Sequence, residues 1–138
     1  MNFIIETKTE LTEKDIANIL VSAFEAGGIK DWATVEEIVL PKKVVLDSKH
    51  IGWVMVGSEG WPSYIAAPLL DEGYVRIADN EDDDKNFIVN RQAIARGLHL
   101  MANGEHRRHF NDILDGNHDI NTADILIQLS VFGEVKYG

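Results

Sequence analysis

The stretch from Val35 to Gly57, VEEIVLPKKVVLDSKHIGWVMVG, decides the fold because it breaks the helical spacing found elsewhere in the chain. Its β-branched and apolar residues form short runs bounded by Pro, Asp, Ser and Gly, which is typical of strands. The runs are Val35 to Leu40, Lys43 to Asp47 and Ile51 to Gly57. Two further strands are predicted at Tyr64 to Leu70 and Tyr74 to Asp79, with residues 71–73 as the hairpin loop between them.

Helical spacing precedes this block. One face of a predicted first helix carries apolar residues three and four positions apart, namely Ile16, Ile19, Leu20, Ala23 and Phe24. Thr12 and Asp15 have the spacing of a capping box, and Gly27-Gly28 ends the helix where a left-handed residue is needed. Residues 2–8 predict a first strand, because apolar residues open this segment ahead of alternating polar ones.

The C-terminal third returns to helical spacing. Asn90 is placed to cap a helix that ends at Asn103-Gly104. Asn121 has the position of an N-cap for a final helix, which Gly133 ends or bends, and a shorter helix is predicted between the two. The apolar run Phe87 to Val89 is either a last short strand or the lead-in to the first of these helices.

The order of these segments predicts the α+β class. Consecutive strands with short connections favour an antiparallel sheet. We therefore expect about five or six strands, with an N-terminal helix and two or three C-terminal helices packed on one face. No repeat, linker or low-complexity tract divides the chain, so residues 1–138 are predicted to form one domain.

Composition narrows the classes of function. The chain has no cysteine, which excludes disulfides, cysteine-ligated zinc and a thiol nucleophile. The N-terminus lacks the features of a signal peptide, and no apolar run approaches the ~18 residues that a membrane helix needs. We therefore expect a cytoplasmic protein with no membrane partner. No phosphate-binding glycine loop or nucleophile elbow is present, so an enzyme is disfavoured and no catalytic residue or cofactor is predicted.

The formal net charge of −10, from 23 acidic and 13 basic residues, disfavours direct nucleic-acid binding and permits a basic partner. Acidity is densest in one segment, whose candidate binding residues are Asp79, Glu81, Asp82, Asp83 and Asp84. An EF-hand beginning at Asp79 is excluded, because its sixth and twelfth positions hold aspartate and asparagine rather than glycine and glutamate. A solvated turn, a looser cation site and an acidic patch facing a basic partner remain alternatives.

Histidines and carboxylates gather in a second segment. His106 and His109 share a helical face with Asp112, and His118-Asp119 follows. Two imidazoles and a carboxylate suit a transition metal, but adjacent arginines at 107 and 108 would repel the cation. A solvated polar turn is therefore the favoured interpretation, metal binding is the alternative, and no metal ligand is predicted.

Aromatic and cationic residues supply the remaining binding candidates. Trp61 is predicted either to anchor a partner from a loop tip or to cap one end of the core, and Tyr64 offers a further stacking surface. Arg91 stands near a helix start, where it could help to bind an anion. Asp124 and Gln128 lie four residues apart on one polar stripe, so they hydrogen-bond locally, line a pocket or form a self-association surface.

Two stretches resemble a known group of proteins. The element Gly27-Gly28-Ile29 followed by Trp32, and the ending that runs from Thr122-Ala123-Asp124 through Gln128 to Tyr137-Gly138, resemble short proteins encoded by phages, plasmids and other mobile elements of Gram-positive bacteria. No activity is established for that group. The resemblance implies a genetic context rather than a mechanism.

Four functional hypotheses follow. The leading one is a non-enzymatic binding protein of a phage or mobile element that interferes with a host system, such as CRISPR or another defence pathway, by binding a host protein. The second is a sponge that sequesters a small signalling nucleotide, using aromatic residues and the arginines at 91, 96, 107 and 108. The third is a metal-dependent hydrolase. The fourth is a structural protein that forms a homo-oligomer.

Overall fold

The computed structural model of the protein describes residue 3 and residues 10–40, 44–47, 55–56, 61–62, 67–69 and 72–138. The chain runs through an N-terminal helix, a strand-rich middle and a helical end. In chain order they are α1 (Glu13–Leu20), a π-helical turn (Val21–Glu25), β1 (Ala33–Leu40), β2 (Val44–Asp47), β3 (Met55–Val56), β4 (Trp61–Pro62), a 3₁₀ turn (Ala67–Leu69), β5 (Tyr74–Asp79), β6 (Asn86–Asn90), α2 (Arg91–Asn103), α3 (Arg107–Leu114) and α4 (Ile120–Phe132).

The α+β class is present, but the predicted sheet of five or six strands is wrong. Three antiparallel strands, β1, β5 and β6, form its body, and the short β2 pairs with the outer side of β1 to give the order β2-β1-β5-β6. The two-residue strands β3 and β4 pair only with each other in a separate ladder. The helices at both ends of the chain agree with the prediction.

The run predicted as a strand from Tyr64 to Leu70 accounts for part of this error. Its described residues, Ala67–Leu69, form a 3₁₀ turn and are all buried. Pro68 has no backbone N–H, so a central strand could not use it in a ladder. The predicted strand at residues 2–8 lies outside the described residues, apart from Phe3, which is exposed.

The sheet turns one face to the helices. Ile38, Val75, Ile77 and Val89 are completely buried on that face. The opposite face carries polar pairs such as Arg76 with Glu37, whose side chains lie 3.0 Å apart in an ion pair. The alternation of side chains between core and solvent therefore fixes the register of the three main strands.

A bulge interrupts β1. The pairing of β1 with β5 shifts between Val35 and Glu37, which leaves Glu36 as an extra residue. Val35 therefore packs against the core, Glu37 points to the open face, and Ile38 returns to the core. In a regular strand of this same sequence, with Glu36 paired and no bulge, Val35 and Ile38 would face opposite sides of the sheet.

Local signals at the helix ends explain where the helices begin. The capping box is confirmed, since Thr12 and Asp15 exchange side-chain-to-backbone hydrogen bonds of 2.9 and 3.1 Å. Asn90 caps α2 as predicted, by accepting the backbone N–H of Ala93 at 2.8 Å. The prediction of Asn121 as the cap of the final helix is wrong, because Asp119 caps α4 and the helix begins two residues earlier than expected.

The helices α2 and α4 pack closely along a glycine. A Cβ atom placed on Gly97 would overlap the hydroxyl of Ser130 and lie 3.0 Å from the backbone oxygen of Leu126. Completely buried side chains flank the contact, Met101 from α2 and Leu126 from α4. This approach brings α4 into the centre of the core. Among the described residues, no helix has the length and apolar character needed to cross a membrane.

Candidate functional site

One group of polar and aromatic side chains joins the segment around Trp32 to the C-terminal residues. Trp32, just before β1, meets the residues that follow α4, which we call the tail (133–138). Gly133 takes a left-handed conformation (φ 75°) and turns the chain at the helix end, so the tail folds back over α4. The helix then presents Asp124 and Gln128 to the same region.

Gln128 is completely buried, and its side-chain amide holds the backbone of the tail. Its Oε1 accepts the backbone N–H groups of Lys136 and Tyr137, both at 2.9 Å. Its Nε2 donates to the carbonyl oxygen of Tyr137 at 3.1 Å. The amide thus exchanges both kinds of hydrogen bond with Tyr137, as a residue in a neighbouring antiparallel strand would. Such contacts recognise main chain rather than a particular side chain.

The ring of Tyr137 stacks on Trp32, with centroids 5.4 Å apart and planes within 12° of parallel. Phe132 packs against Trp32 at 5.3 Å, and Phe87 from β6 meets the edge of Phe132 at 4.8 Å. The cluster supplies aromatic contacts beyond simple burial of area. It ties α4, the tail and two separate parts of the sheet region together.

Asp79 receives the hydroxyl of that tyrosine. Its Oδ2 accepts the Tyr137 O–H at 2.8 Å, while Oδ1 accepts the backbone N–H of Glu81 at 2.8 Å. The backbone bond from Glu81 is the main cause that lowers the pKa of Asp79, and the tyrosine hydroxyl is the next. The bond to Asp79 in turn raises the pKa of Tyr137. Asp79 is only 5% exposed. Its carboxylate therefore bonds to groups within the protein and does not contribute to the acidic surface that the sequence predicts.

Asp124 is a half-buried carboxylate that accepts from neutral donors. The indole Nε1 of Trp32 donates to its Oδ1 at 2.7 Å, and the Nε2 of Gln128 donates at 3.1 Å. Burial is the main cause that raises the pKa of Asp124, and the nearby charge of Asp31 acts in the same direction. The local hydrogen bond between Asp124 and Gln128, one of the predicted alternatives, is therefore present.

The other acidic candidates lie at the tip of the β5–β6 hairpin, residues 80–85, which we call the acidic tip. Glu81, Asp83 and Asp84 are exposed, and none of them forms an ion pair within the described part of the chain. Asp82 shapes the turn instead, because its Oδ1 accepts the backbone N–H of Asp84 at 3.1 Å and its carbonyl accepts that of Lys85 at 2.9 Å. The acidic tip therefore presents three exposed carboxylates on a turn that backbone hydrogen bonds hold in shape.

Two side chains of the histidine segment contact residues of other helical segments. His109 lies 3.0 Å from the hydroxyl of Thr122, and His118 lies 3.4 Å from that of Ser22. Asp119 is occupied in capping α4, and the backbone N–H of Thr122 is the main cause that lowers its pKa. Within the described ranges, no three His, Asp or Glu side chains come together in a way that could hold a metal ion.

Three of the four arginines proposed to bind a nucleotide donate hydrogen bonds within the chain, and the fourth, Arg108, is exposed. Arg91 donates to the carbonyl of Leu69 at 2.6 Å and pairs with Glu13 at 3.0 Å. Arg96 donates to the carbonyl of Ser130. Arg107 donates to the backbone of residue 102 and lies over a phenylalanine ring. These contacts direct the three guanidinium groups to different acceptors rather than to one shared ligand.

The two remaining aromatic candidates, Trp61 and Tyr64, lie partly or wholly outside the described residues. Trp61 belongs to β4, and its side chain lies outside the described part of the chain, as does the whole of Tyr64. Sequence reasoning missed two features of the site, the contribution of Phe87 and the bond between Asp79 and Tyr137. A polar residue that ends a strand on its buried face is the signal that could have identified Asp79, since such a residue needs an internal partner.

In comparisons with known proteins, the chain matches no family model, no curated protein and no solved structure.

Proposed function

We propose that this protein is a non-enzymatic binding protein of a phage or mobile element that acts in the cytoplasm of the bacterial host. It binds a basic surface of a host protein and so interferes with a host system, such as CRISPR or another defence pathway. The observation that supports this proposal is the acidic tip, where Glu81, Asp83 and Asp84 project from an ordered hairpin without cationic partners among the described residues.

The order of the tip favours binding. The carboxylates of Asp79 and Asp82 accept backbone N–H groups at 2.8 and 3.1 Å, so they hold the turn while their neighbours face solvent. A preorganised loop loses little conformational entropy when a partner binds. Exposed charges of one sign also accelerate association with an oppositely charged surface, within a Debye length of about 8 Å at physiological salt.

The sign of the charge supports a protein partner. The whole chain carries a net charge of −10, which repels phosphate backbones and anionic membranes. A basic protein surface, by contrast, gains from complementary charge in rate and in specificity. The engaged arginines 91, 96 and 107 favour this reading over a nucleotide sponge, because their guanidinium groups already have acceptors in the chain.

The test compares two variants of the same net charge. The first neutralises the tip through Glu81→Gln, Asp83→Asn and Asp84→Asn. The matched control neutralises three other exposed acids through Glu25→Gln, Glu36→Gln and Asp115→Asn, which lie in the π-helical turn, the β1 bulge and the end of α3. Each protein captures partners from a Gram-positive host lysate at about 0.15 M salt, where the Debye length is about 8 Å.

We expect wild type and control to retain the same basic protein, the tip variant to lose it, and higher salt to weaken the capture. Purified partner then gives the association rate directly, and the tip variant should slow it at least about tenfold at low salt. Equal capture by all three proteins, or no captured protein at all, would contradict the proposal.

A further inference from the structure

We infer that Trp32, Gln128 and Asp79 form a recognition slot for a tyrosyl residue, which Tyr137 of the tail occupies as an internal ligand and which a tyrosine-containing peptide from another molecule can enter in its place. We call these three residues the tyrosine slot. The inference does not rest on the exposed carboxylates of the acidic tip or on the proposed host partner.

Each residue of the slot recognises a different part of one tyrosine. Trp32 offers its indole face to the ring at a 5.4 Å centroid distance. Asp79 accepts the phenolic hydroxyl at 2.8 Å. Gln128 pairs with both the N–H and the carbonyl of the same residue, at 2.9 and 3.1 Å. Ring, hydroxyl and main chain are therefore all bound, which is how a specific peptide site recognises an anchor residue.

The slot is held in shape by contacts that do not involve the tail. The indole N–H of Trp32 is fixed by Asp124, and its carbonyl accepts the backbone N–H of Asn80 at 2.8 Å. The carboxylate of Asp79 is oriented by the N–H of Glu81. Gln128 is anchored in α4 and donates to Asp124 as well. Removal of the tyrosine would leave a preformed site with a carboxylate, an amide and an aromatic face in place.

The tail has the features of a displaceable ligand. Tyr137 is only partly buried, whereas Gln128 beneath it is completely buried. A left-handed Gly133 joins the tail to α4, and no atom lies within 4 Å of the place where its Cβ would stand, so packing does not lock this link. Because the connection is short, the internal tyrosine has an effective concentration on the order of millimolar. A competing peptide therefore binds wild type weakly and binds an emptied slot with its full affinity.

The first experiment empties the slot in the full chain with Tyr137→Ala and adds p-cresol, the tyrosine side chain without its backbone. We expect p-cresol at ten times its dissociation constant to lower the unfolding constant of the variant about tenfold, and to leave wild type nearly unchanged. Toluene has the same ring without the hydroxyl, so we expect it to bind at least about tenfold more weakly, because a hydrogen bond to a charged acceptor is lost. Equal effects of p-cresol on variant and wild type would overturn the inference.

A second measurement keeps the test decisive if the alanine variant does not fold. The Tyr137→Phe chain retains the ring and the tail backbone but loses the bond to Asp79, so its tail is easier to displace. We add the peptide Glu-Val-Lys-Tyr-Gly carrying 3-fluorotyrosine and follow its ¹⁹F resonance. We expect a saturable shift, and at least about tenfold weaker binding for the same peptide with 4-fluorophenylalanine. No shift at millimolar peptide with folded protein would make the tail a fixed part of the fold and overturn the inference.

Discussion

Replacement of Gln128 by methionine tests whether one buried amide holds the tail. Methionine has a similar length and a similar helix propensity, so the change removes hydrogen bonds with little change in shape. Four hydrogen bonds are lost, two accepted from the tail backbone and two donated, to Tyr137 and Asp124. At a net contribution of about 1 kcal/mol each, the upper limit is about 4 kcal/mol.

The expected loss for Gln128→Met is smaller than that limit, because the freed backbone of the tail can detach and bind water. We therefore expect the free energy of unfolding to fall by about 2–3 kcal/mol. Urea denaturation followed by circular dichroism measures this value, and tryptophan fluorescence reports the loss of the stacked tyrosine. The matched control is Gln92→Met on the exposed side of α2, with an expected change within about 0.5 kcal/mol. Equal stabilities of Gln128→Met and wild type would refute the reasoning.

A second substitution at the same position separates donors from acceptors. Gln128→Glu keeps both acceptor contacts but places a carboxylate oxygen against Asp124, where the nitrogen now lies 3.1 Å away. Like charges so close raise the pKa of the introduced carboxyl in the folded state above its unfolded value. The folded state then binds more protons, so the variant should regain stability relative to wild type as pH falls from 7 to 5. A deficit that does not change with pH would contradict this account.

Three further predictions concern packing, capping and charge. Gly97→Ala should lower the free energy of unfolding by about 1–2 kcal/mol although alanine favours helices, because the methyl group presses into α4. The control Ala95→Gly, on the exposed side of α2, measures helix propensity alone and should lower the free energy of unfolding by about 1 kcal/mol. A stabilised Gly97→Ala variant would contradict the packing. Asp119→Ala should lower the free energy of unfolding by about 1 kcal/mol at pH 7, with Asp115→Ala as the control. Because folding lowers the pKa of Asp119, this loss of stability should disappear as acid protonates the cap. Urea midpoints of variant and wild type that differ equally at every pH would contradict this. The stability of Asp124→Asn relative to wild type should be highest at pH 7 and lower at pH 4. The reason is that the raised pKa of Asp124 gives wild type stability at low pH that is lost as pH rises. The opposite trend in urea midpoints would show that burial does not dominate the pKa of Asp124.

Local signals in the sequence predicted the helices well. The capping box at Thr12 and the cap at Asn90 satisfy backbone N–H groups of the next few residues, so the information lies within one turn of the chain. The cap of α4 was misplaced because Asn121 and Asp119 are both good caps by type. Only the contact of Asp119 with Thr122 shows which of them closes the first turn.

The sheet was harder to predict because strand pairing joins distant segments. The run after residue 63 has the apolar composition of a strand, but Pro68 and burial against several elements favour a 3₁₀ turn. The partners of β5 are β1 and β6, and neither follows from the hairpin predicted at residues 71–73.

The candidate site shows the same division between local and distant information. The spacing of Asp124 and Gln128 predicts their hydrogen bond, which spans one helical turn. The bond from Tyr137 to Asp79 spans 58 positions and depends on the whole topology. The sequence pattern predicts one acidic segment from Asp79 to Asp84, whereas the sheet buries its first residue and leaves several of the others exposed.

The bulge at Glu36 bears on how the length of this chain can vary. Because Glu36 is the residue that the pairing of β1 with β5 skips, its deletion would leave Val35 facing the core, Glu37 facing solvent and Ile38 facing the core in a regular strand. Deletion of Thr34 instead would turn Ala33 away from the helices. Chains one residue shorter at this point could therefore keep the same core, so a gap opposite Glu36 is the one to expect when relatives of this protein are aligned.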